Sequence, residues 1–288
     1  MRSKPLPADP KSPGLLPSWR GAARKEGARA VLISTVSTIV FAGVVVWAVL
    51  SSETWPRVRE QFFSLRHFEL VWPAVLRGFW LDVRMFLGAE TLILFAALIV
   101  AAVRSLRGPI FFPVRALSVL YVDLVRGIPL LLMILVLGFG VPALDLPGVP
   151  RSALFWGVTA LVLSYTAYTA EIYRAGIESV HESQRMSAQS LGLSQLQTLR
   201  HVLVPQAVRN VIPALLSSFV SLQKDVALVF VLGVREGVRE AQIYNARTFN
   251  YTGYIAATIL FLLVSVPVAR FTDWYGNRVR RRRQAMSQ

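Results

Sequence analysis

The chain has 288 residues, 54% of them hydrophobic, and a formal net charge of +15; its mean hydropathy is +0.51. Apolar residues this abundant, gathered into blocks, exclude an ordinary soluble domain and indicate an integral membrane protein. The positive charge sits in the tails and at the ends of the apolar blocks, where membrane topology uses it, so it argues for a bilayer orientation and against nucleic acid. There is no cysteine, which excludes disulfides and thiolate metal sites, and the scattered histidines His67, His181 and His201 suggest no zinc site.

Residues 1–29 carry five prolines and seven lysines or arginines with little apolar periodicity, and read as a disordered basic cytoplasmic tail. The basic region is too long for a signal peptide, and no small-residue cleavage site follows the first apolar run. Val31–Leu50 is apolar and uncharged; about 20 residues at 1.5 Å rise cover a hydrocarbon core of about 30 Å, giving span one. Residues 51–77 mix charges of both signs with Trp55, Phe62, Phe63 and Trp72, an interfacial composition. Residues 30–74 thus form an extra N-terminal transmembrane helix and an external segment ahead of a transmembrane domain at 75–275. Its spans are expected at 79–103, 114–140, 152–175, 213–234 and 254–271. Residues 276–288 form a second basic tail. The expected fold is an all-α membrane protein of six spans.

Basic residues orient the bundle. Arg104, Arg107 and Arg115 follow span two; Arg185, Arg200 and Arg209 lie in 179–213; Arg278 and 280–283 close the chain. The loop 141–150 has no basic residue, and Asp145. The positive-inside rule then places both termini and the 179–213 loop in the cytoplasm. The remaining long loop is expected at about 235–251.

The 179–213 stretch is polar between apolar runs and patterned as two short helices. Ser179 to Glu182 has capping-box spacing, and Ser194 to Gln197 repeats it. Gly192 suits a left-handed helix end. Leu196, Leu199, Val202 and Leu203 recur at helical spacing, and Pro205 and Pro213 punctuate the exit. A short amphipathic helix between spans is suited to docking onto a partner.

Several charges fall within spans, where each costs on the order of 3 kcal/mol unless it faces protein or water. Lys224 and Asp225 lie near the middle of span five. Asp123 and Arg126 are three apart on one face of span three and can pair, and Glu171 and Arg174 repeat that spacing at the end of span four. Glu90 has no basic residue within a turn; burial, a partner on another helix or the translocation path are its alternatives. For the others, ion pairs that hold helices together and contacts to a substrate both stay open. Gly127-Ile128-Pro129 is expected to bend span three, a break tolerated where it is buried or lines a cavity.

Met186-Ser187-Ala188, then Gly192, then Val202-Leu203-Val204-Pro205, resembles the EAA loop of permease subunits of binding-protein-dependent ABC importers, with Met186 for the family Glu and Ser187 for its first Ala. Tyr121 to Leu131, Ala167 to Ile177 and Ser221 to Leu228 are similar to the signatures of the branch that imports polar amino acids. The resemblance implies a coupling loop carrying Ser187, Ala188, Gly192, Leu193 and Pro205, and a path or set of ion pairs involving Glu90, Asp123, Arg126, Glu171, Lys224 and Asp225. It also implies a cytoplasmic ABC ATPase that binds ATP and Mg, a second permease chain, identical or related, and an extracytoplasmic amino-acid-binding protein, all at a bacterial cytoplasmic membrane. No G-x-x-x-x-G-K-[ST] occurs, so this chain is expected to bind no cofactor and catalyse nothing; the nucleotide belongs to the partner. The rival readings are an ion-coupled secondary transporter that titrates Glu90 or Asp225, and a membrane scaffold.

Overall fold

The computed structural model describes residues 18–106 and 108–286, with side chains described at 31–106 and 108–278. All regular structure among these residues is helical. The expected N-terminal tail lies partly outside them. The chain divides between Arg59 and Glu60 into two compact units.

The first unit contains α1, Ser18–Leu50, which begins inside the segment expected to be a tail. Its apolar part, Val31–Leu50, is a candidate span with no side chain buried within the chain. Such a surface suits lipid, which solvates apolar side chains as well as protein does.

Following α2 (Trp55–Phe62), the second unit is built on α3, Leu65–Ser105. This 41-residue helix is longer than span two was expected to be, because the mixed-charge residues from Leu65 onward continue it. Then come α4 (Phe112–Gly127), α5 (Leu130–Leu135), a π-helical segment at Val136–Gly140 and the short α6 (Val141–Ala143). α4 and the following α5–α6 stretch are bent by 104° to each other, the geometry of a broken span or of a re-entrant loop. The cause is local: proline has no N–H, and it drives the preceding residue out of the helical region, so Ile128 sits at φ −96°, ψ 127°. Five helices are long and apolar enough to cross a membrane, six when the bent pair is one span.

α7 (Ala153–Glu178) starts under Ser152, whose side chain accepts from Phe155 N at 3.3 Å. Beyond it lie α8 (Glu182–Ser190), α9 (Gln195–Thr198), a π turn at Leu199–Leu203 and α10 (Val204–Asp225). A 3₁₀ segment, Val226–Leu232, ends at Gly233 with φ 82°. Pro213 does not punctuate the exit from the loop; it lies inside α10, which runs through it. Residues Gly237–Thr248, expected to be loop, form α11, and α12 runs Thr252–Met286, through the expected C-terminal tail.

α3 is the central strut, packed on α7, α11 and α12, while α7 also carries α4 and α10. Two clusters result. In one, Met85, Phe86, Ala89 and Ile93 of α3 meet Leu161 and Tyr165 of α7, with Leu222, Val226 and Val229. In the other, Val71, Val75 and Phe79 meet Ala241 of α11 and Ala256, Ala257 and Leu260 of α12. Buried Ala89, Ala97 and Ala101 on α3, and Gly157, Ala160, Ala167 and Ala170 on α7, let these backbones approach closely, which membrane helices use in place of a hydrophobic driving force. Gly78 is the extreme case, since a Cβ there would lie 2.5 Å from the Glu236 carbonyl carbon.

Candidate functional site

The loop between α7 and α10 is built from its caps. Ser194 accepts from Gln197 N at 3.3 Å and Gln197 Oε1 accepts from Ser194 N at 2.9 Å, so the expected capping box is complete. The other expected box does not form. α8 starts two residues later, under His181, whose ring accepts from Ser183 N at 3.4 Å. Ser179 closes α7 instead, its hydroxyl donating to Gly176 O at 2.7 Å. Between α8 and α9, Gly192 has φ +83°. The turn there is closed by Gly192 N donating to Gln189 O at 2.9 Å and Leu193 N to Ala188 O at 3.2 Å.

Among the sequence-derived loop residues, Ala188 is buried and Leu193 half-buried, while Ser187, Gly192 and Pro205 are exposed. α8 packs on the π turn at Leu199–Leu203. α9, the π turn and α10 follow one another without a non-helical residue from Gln195 to Asp225, and the rod spans roughly 45 Å at 1.5 Å per residue.

Where α7 enters the loop, Arg104 Nη1 donates to Glu171 Oε2 at 2.7 Å. Arg174 Nε donates to Glu171 Oε1 at 3.0 Å and Arg174 Nη1 to Glu178 at 2.5 Å. The Glu171–Arg174 pair was legible from its spacing. Arg104, which ties the end of α3 to α7, comes from 67 residues away and was not.

At the far end of the rod, α7 and α10 border an open cavity of about 450 Å³, lined by Ser164, Tyr165, Tyr168, Ser217, Ser221 and Asp225 among others. Tyr165 Oη donates to Asp225 Oδ2 at 2.7 Å. Arg126 lies over the Tyr168 ring, 5.7 Å from its centroid, and Tyr168 Oη donates to the Arg126 carbonyl at 3.3 Å. The cavity therefore offers a carboxylate and several hydroxyls; the Arg126 guanidinium does not line it but stacks on one of its lining residues, Tyr168. The hydroxyls escaped the sequence reading, although Ser217, Ser221 and Asp225 recur at intervals of four and so share a helix face.

The other candidates are dispersed. Arg126 and Asp123 do not pair: the ion pairs among the described residues do not include them, and Arg126 turns to the Tyr168 ring while Asp123 is exposed. Spacing permits a pair on a helix, but an aromatic face on the neighbouring α7 offers the guanidinium a better-packed position. Lys224 and Asp225 diverge, Lys224 into a separate groove of about 430 Å³ against Tyr254, Phe261 and Ser265 of α12. Consecutive helical residues point about 100° apart, so the two neighbours serve different surfaces. Glu90 is half-buried on α3, within electrostatic reach of Tyr165 and Tyr173 on α7.

Comparison with known proteins bears on this arrangement. The sequence profile of the family described as "Binding-protein-dependent transport system inner membrane component" matches residues 93–281. The chain is 30% identical over 204 residues to the probable amino-acid permease protein YxeN of Bacillus subtilis (strain 168), covering 70% of this chain and 90% of the relative. It is 34% identical to the arginine transport system permease protein ArtQ of Bacillus subtilis (strain 168), covering 54% of this chain and 71% of that one. Among solved structures, an amino acid ABC transporter crystallised with histidines superimposes with a TM-score of 0.65 at 29% identity, over 72% of this chain and 94% of that one.

Proposed function

The chain belongs to the family of binding-protein-dependent transport system inner membrane components, and on that premise we propose that it is the permease subunit of an ATP-driven amino acid importer, coupled through residues 179–213 to a separate ATPase. The names of its relatives, amino-acid and arginine permeases, support the substrate class. The carrying observation is the continuous rod from the Ser194 cap to Asp225. One end of that rod belongs to the loop and the other forms a wall of the hydroxyl-bearing cavity, so loop and cavity are joined by one continuous helical segment.

On this reading a cytoplasmic ATPase grips α8 and the Gly192 turn and binds ATP and Mg itself, a second permease chain, identical or related, completes the path, and an extracytoplasmic protein delivers the amino acid. Both termini lie in the cytoplasm of a bacterial cell. In the cavity, Asp225 receives the substrate's ammonium group, the serine hydroxyls hold its polar atoms, and Arg126 stands beside the entry for a carboxylate. Glu171 acts through its two arginines as an anchor for the start of the loop. ATP and substrate then bias one two-state element from its opposite ends.

Gly192→Val tests the coupling. No atom lies within 4 Å of the Cβ position, so the cost is conformational: a β-branched residue disfavours positive φ and the turn between α8 and α9 must reshape. Expected is normal membrane insertion with loss of substrate-stimulated ATP hydrolysis in the reconstituted complex. Unchanged stimulated hydrolysis overturns the reading, as does transport by this chain alone down a proton gradient.

A further inference from the structure

Far from the loop, two acids from distant parts of the sequence meet in the core. Asp82, on α3, is 2% exposed, and Glu236, the residue before α11, is 0% exposed. Glu236 caps α11, accepting from Val238 N at 2.8 Å and Arg239 N at 2.6 Å, and Gly237 N donates to Asp82 Oδ2 at 3.1 Å. Three backbone N–H groups thus face two carboxyls. Asp82 Oδ1 is left buried without a hydrogen-bond partner among the described residues, and the two carboxyl groups lie within side-chain reach of each other.

The surroundings do not neutralise two negative charges. Neither acid is in an ion pair with a described residue. On α11, Arg239 donates to Gln242 and Arg235 is engaged by Glu240. The 3₁₀ segment Val226–Leu232 carries no charge, nor do the first turns of α12, which follow Thr252. On α3 the next charged residue is Arg84, which is exposed, and toward the other end of α11 His67 bonds Tyr244. A helix N-terminus supplies roughly half a positive charge, enough to favour one buried carboxylate but not two. Burial holds the Glu236 carboxyl up at about 7 despite its two backbone donors.

We propose that Asp82 and Glu236 form a proton-binding site: a proton on Asp82 Oδ1 is shared with the Glu236 carboxylate and latches the start of α11 to α3, and its loss at alkaline pH loosens the latch. The bond that forms is an acid–carboxylate hydrogen bond; on release the proton goes to water and leaves like charges facing each other. Asp82 lies 22 residues before Arg104, roughly 33 Å along the helix axis, near the middle of α3, so the latch is set well apart from the coupling loop. The site does not depend on what the chain transports.

The sign is fixed by linkage. The folded pair keeps a proton that the unfolded chain gives up above about pH 4.5, so the folded state binds more protons and stability falls as pH rises. Two readouts on the full chain in lipid nanodiscs test this. In infrared difference spectra the wild type shows a protonated-carboxyl carbonyl band at neutral pH that disappears on alkalisation, and Asp82→Asn lacks it. The thermal midpoint of the wild type drops by roughly 4 °C from about pH 6 to about pH 9, and Asp82→Asn, which mimics the protonated acid, flattens that drop. Should Asp82→Asn fail to insert, Glu236→Gln is measured in the same way with the same expectation. A wild type without the band, or a variant that keeps both band and slope, overturns the proposal.

Discussion

Arg104, at the end of α3, and Asp82, near its middle, show two ways of placing charge in a helical bundle. At the loop end, Arg104 reaches Glu171, which Arg174 holds from its other side, so the acid keeps its charge and ties α3 to α7. Near the middle of α3, Asp82 meets Glu236 with no cation paired to either among the described residues, and only a helix start and a proton can make that tolerable. Both arrangements join α3 to a neighbour. The first is a permanent ionic tie, indifferent to pH through the physiological range; the second is conditional on protonation. The residue type does not decide between them, since each involves a carboxylate on a packed helix. The neighbours decide.

The largest expected effect comes from Gly78→Val, at the conditional site. The new Cβ would lie 2.5 Å from the backbone of Glu236, and backbone cannot rotate out of the way, so α11 must lift from α3. The expected loss is about 3 kcal/mol or more of stability, read as a fallen thermal midpoint together with loss of the pH dependence that Asp82 confers. A wild-type-like midpoint would show that α11 does not rest on Gly78. Next comes Glu171→Ala at the ionic site, which leaves Arg104 and Arg174 facing each other without an acid between them. A partly buried pair broken from one side should cost roughly 2 kcal/mol, measured by chemical denaturation and equal at about pH 6 and pH 9. A pH-dependent loss would erase the distinction between the two sites. The smallest effect is expected from Ser194→Ala, which removes an N-cap worth about 1 kcal/mol. It should leave global stability almost untouched and raise the hydrogen-exchange rates of the Gln197 and Thr198 amides roughly fivefold. Unchanged protection there would mean that packing, rather than the cap, holds the base of the rod.

Much of the architecture was legible because it is encoded locally. Twenty uncharged, mostly apolar residues announce a span at Val31–Leu50, and the Gly127-Ile128-Pro129 break announces the bend that follows α4, since proline removes a donor wherever it sits in a helix. The Ser194–Gln197 box and the left-handed Gly192 were readable for the same reason, being backbone requirements met within a few residues. Ser179 was misleading because its spacing to Glu182 fits a cap equally well whether or not α7 has ended; α7 runs to Glu178 and takes Ser179 as its own terminus. α11 was missed because its charged, glycine-led start looks like a loop, and what makes it a helix is the α3 surface beneath Gly237 and Ala241.

From the chain alone come the membrane class, apolar stretches long enough to span, the bend at Gly127-Ile128-Pro129 and the polar loop between α7 and α10, all consequences of hydropathy and backbone chemistry over short windows. Only the tertiary structure decided which charges meet. It carried Arg104 to Glu171, turned Arg126 onto Tyr168 instead of Asp123, sent Lys224 and Asp225 to different cavities, and brought Glu236 onto Asp82. Helical spacing states which residues share a face of their own helix; the identity of the helix opposite that face is set by how small residues such as Gly78 and Ala89 allow whole helices to approach.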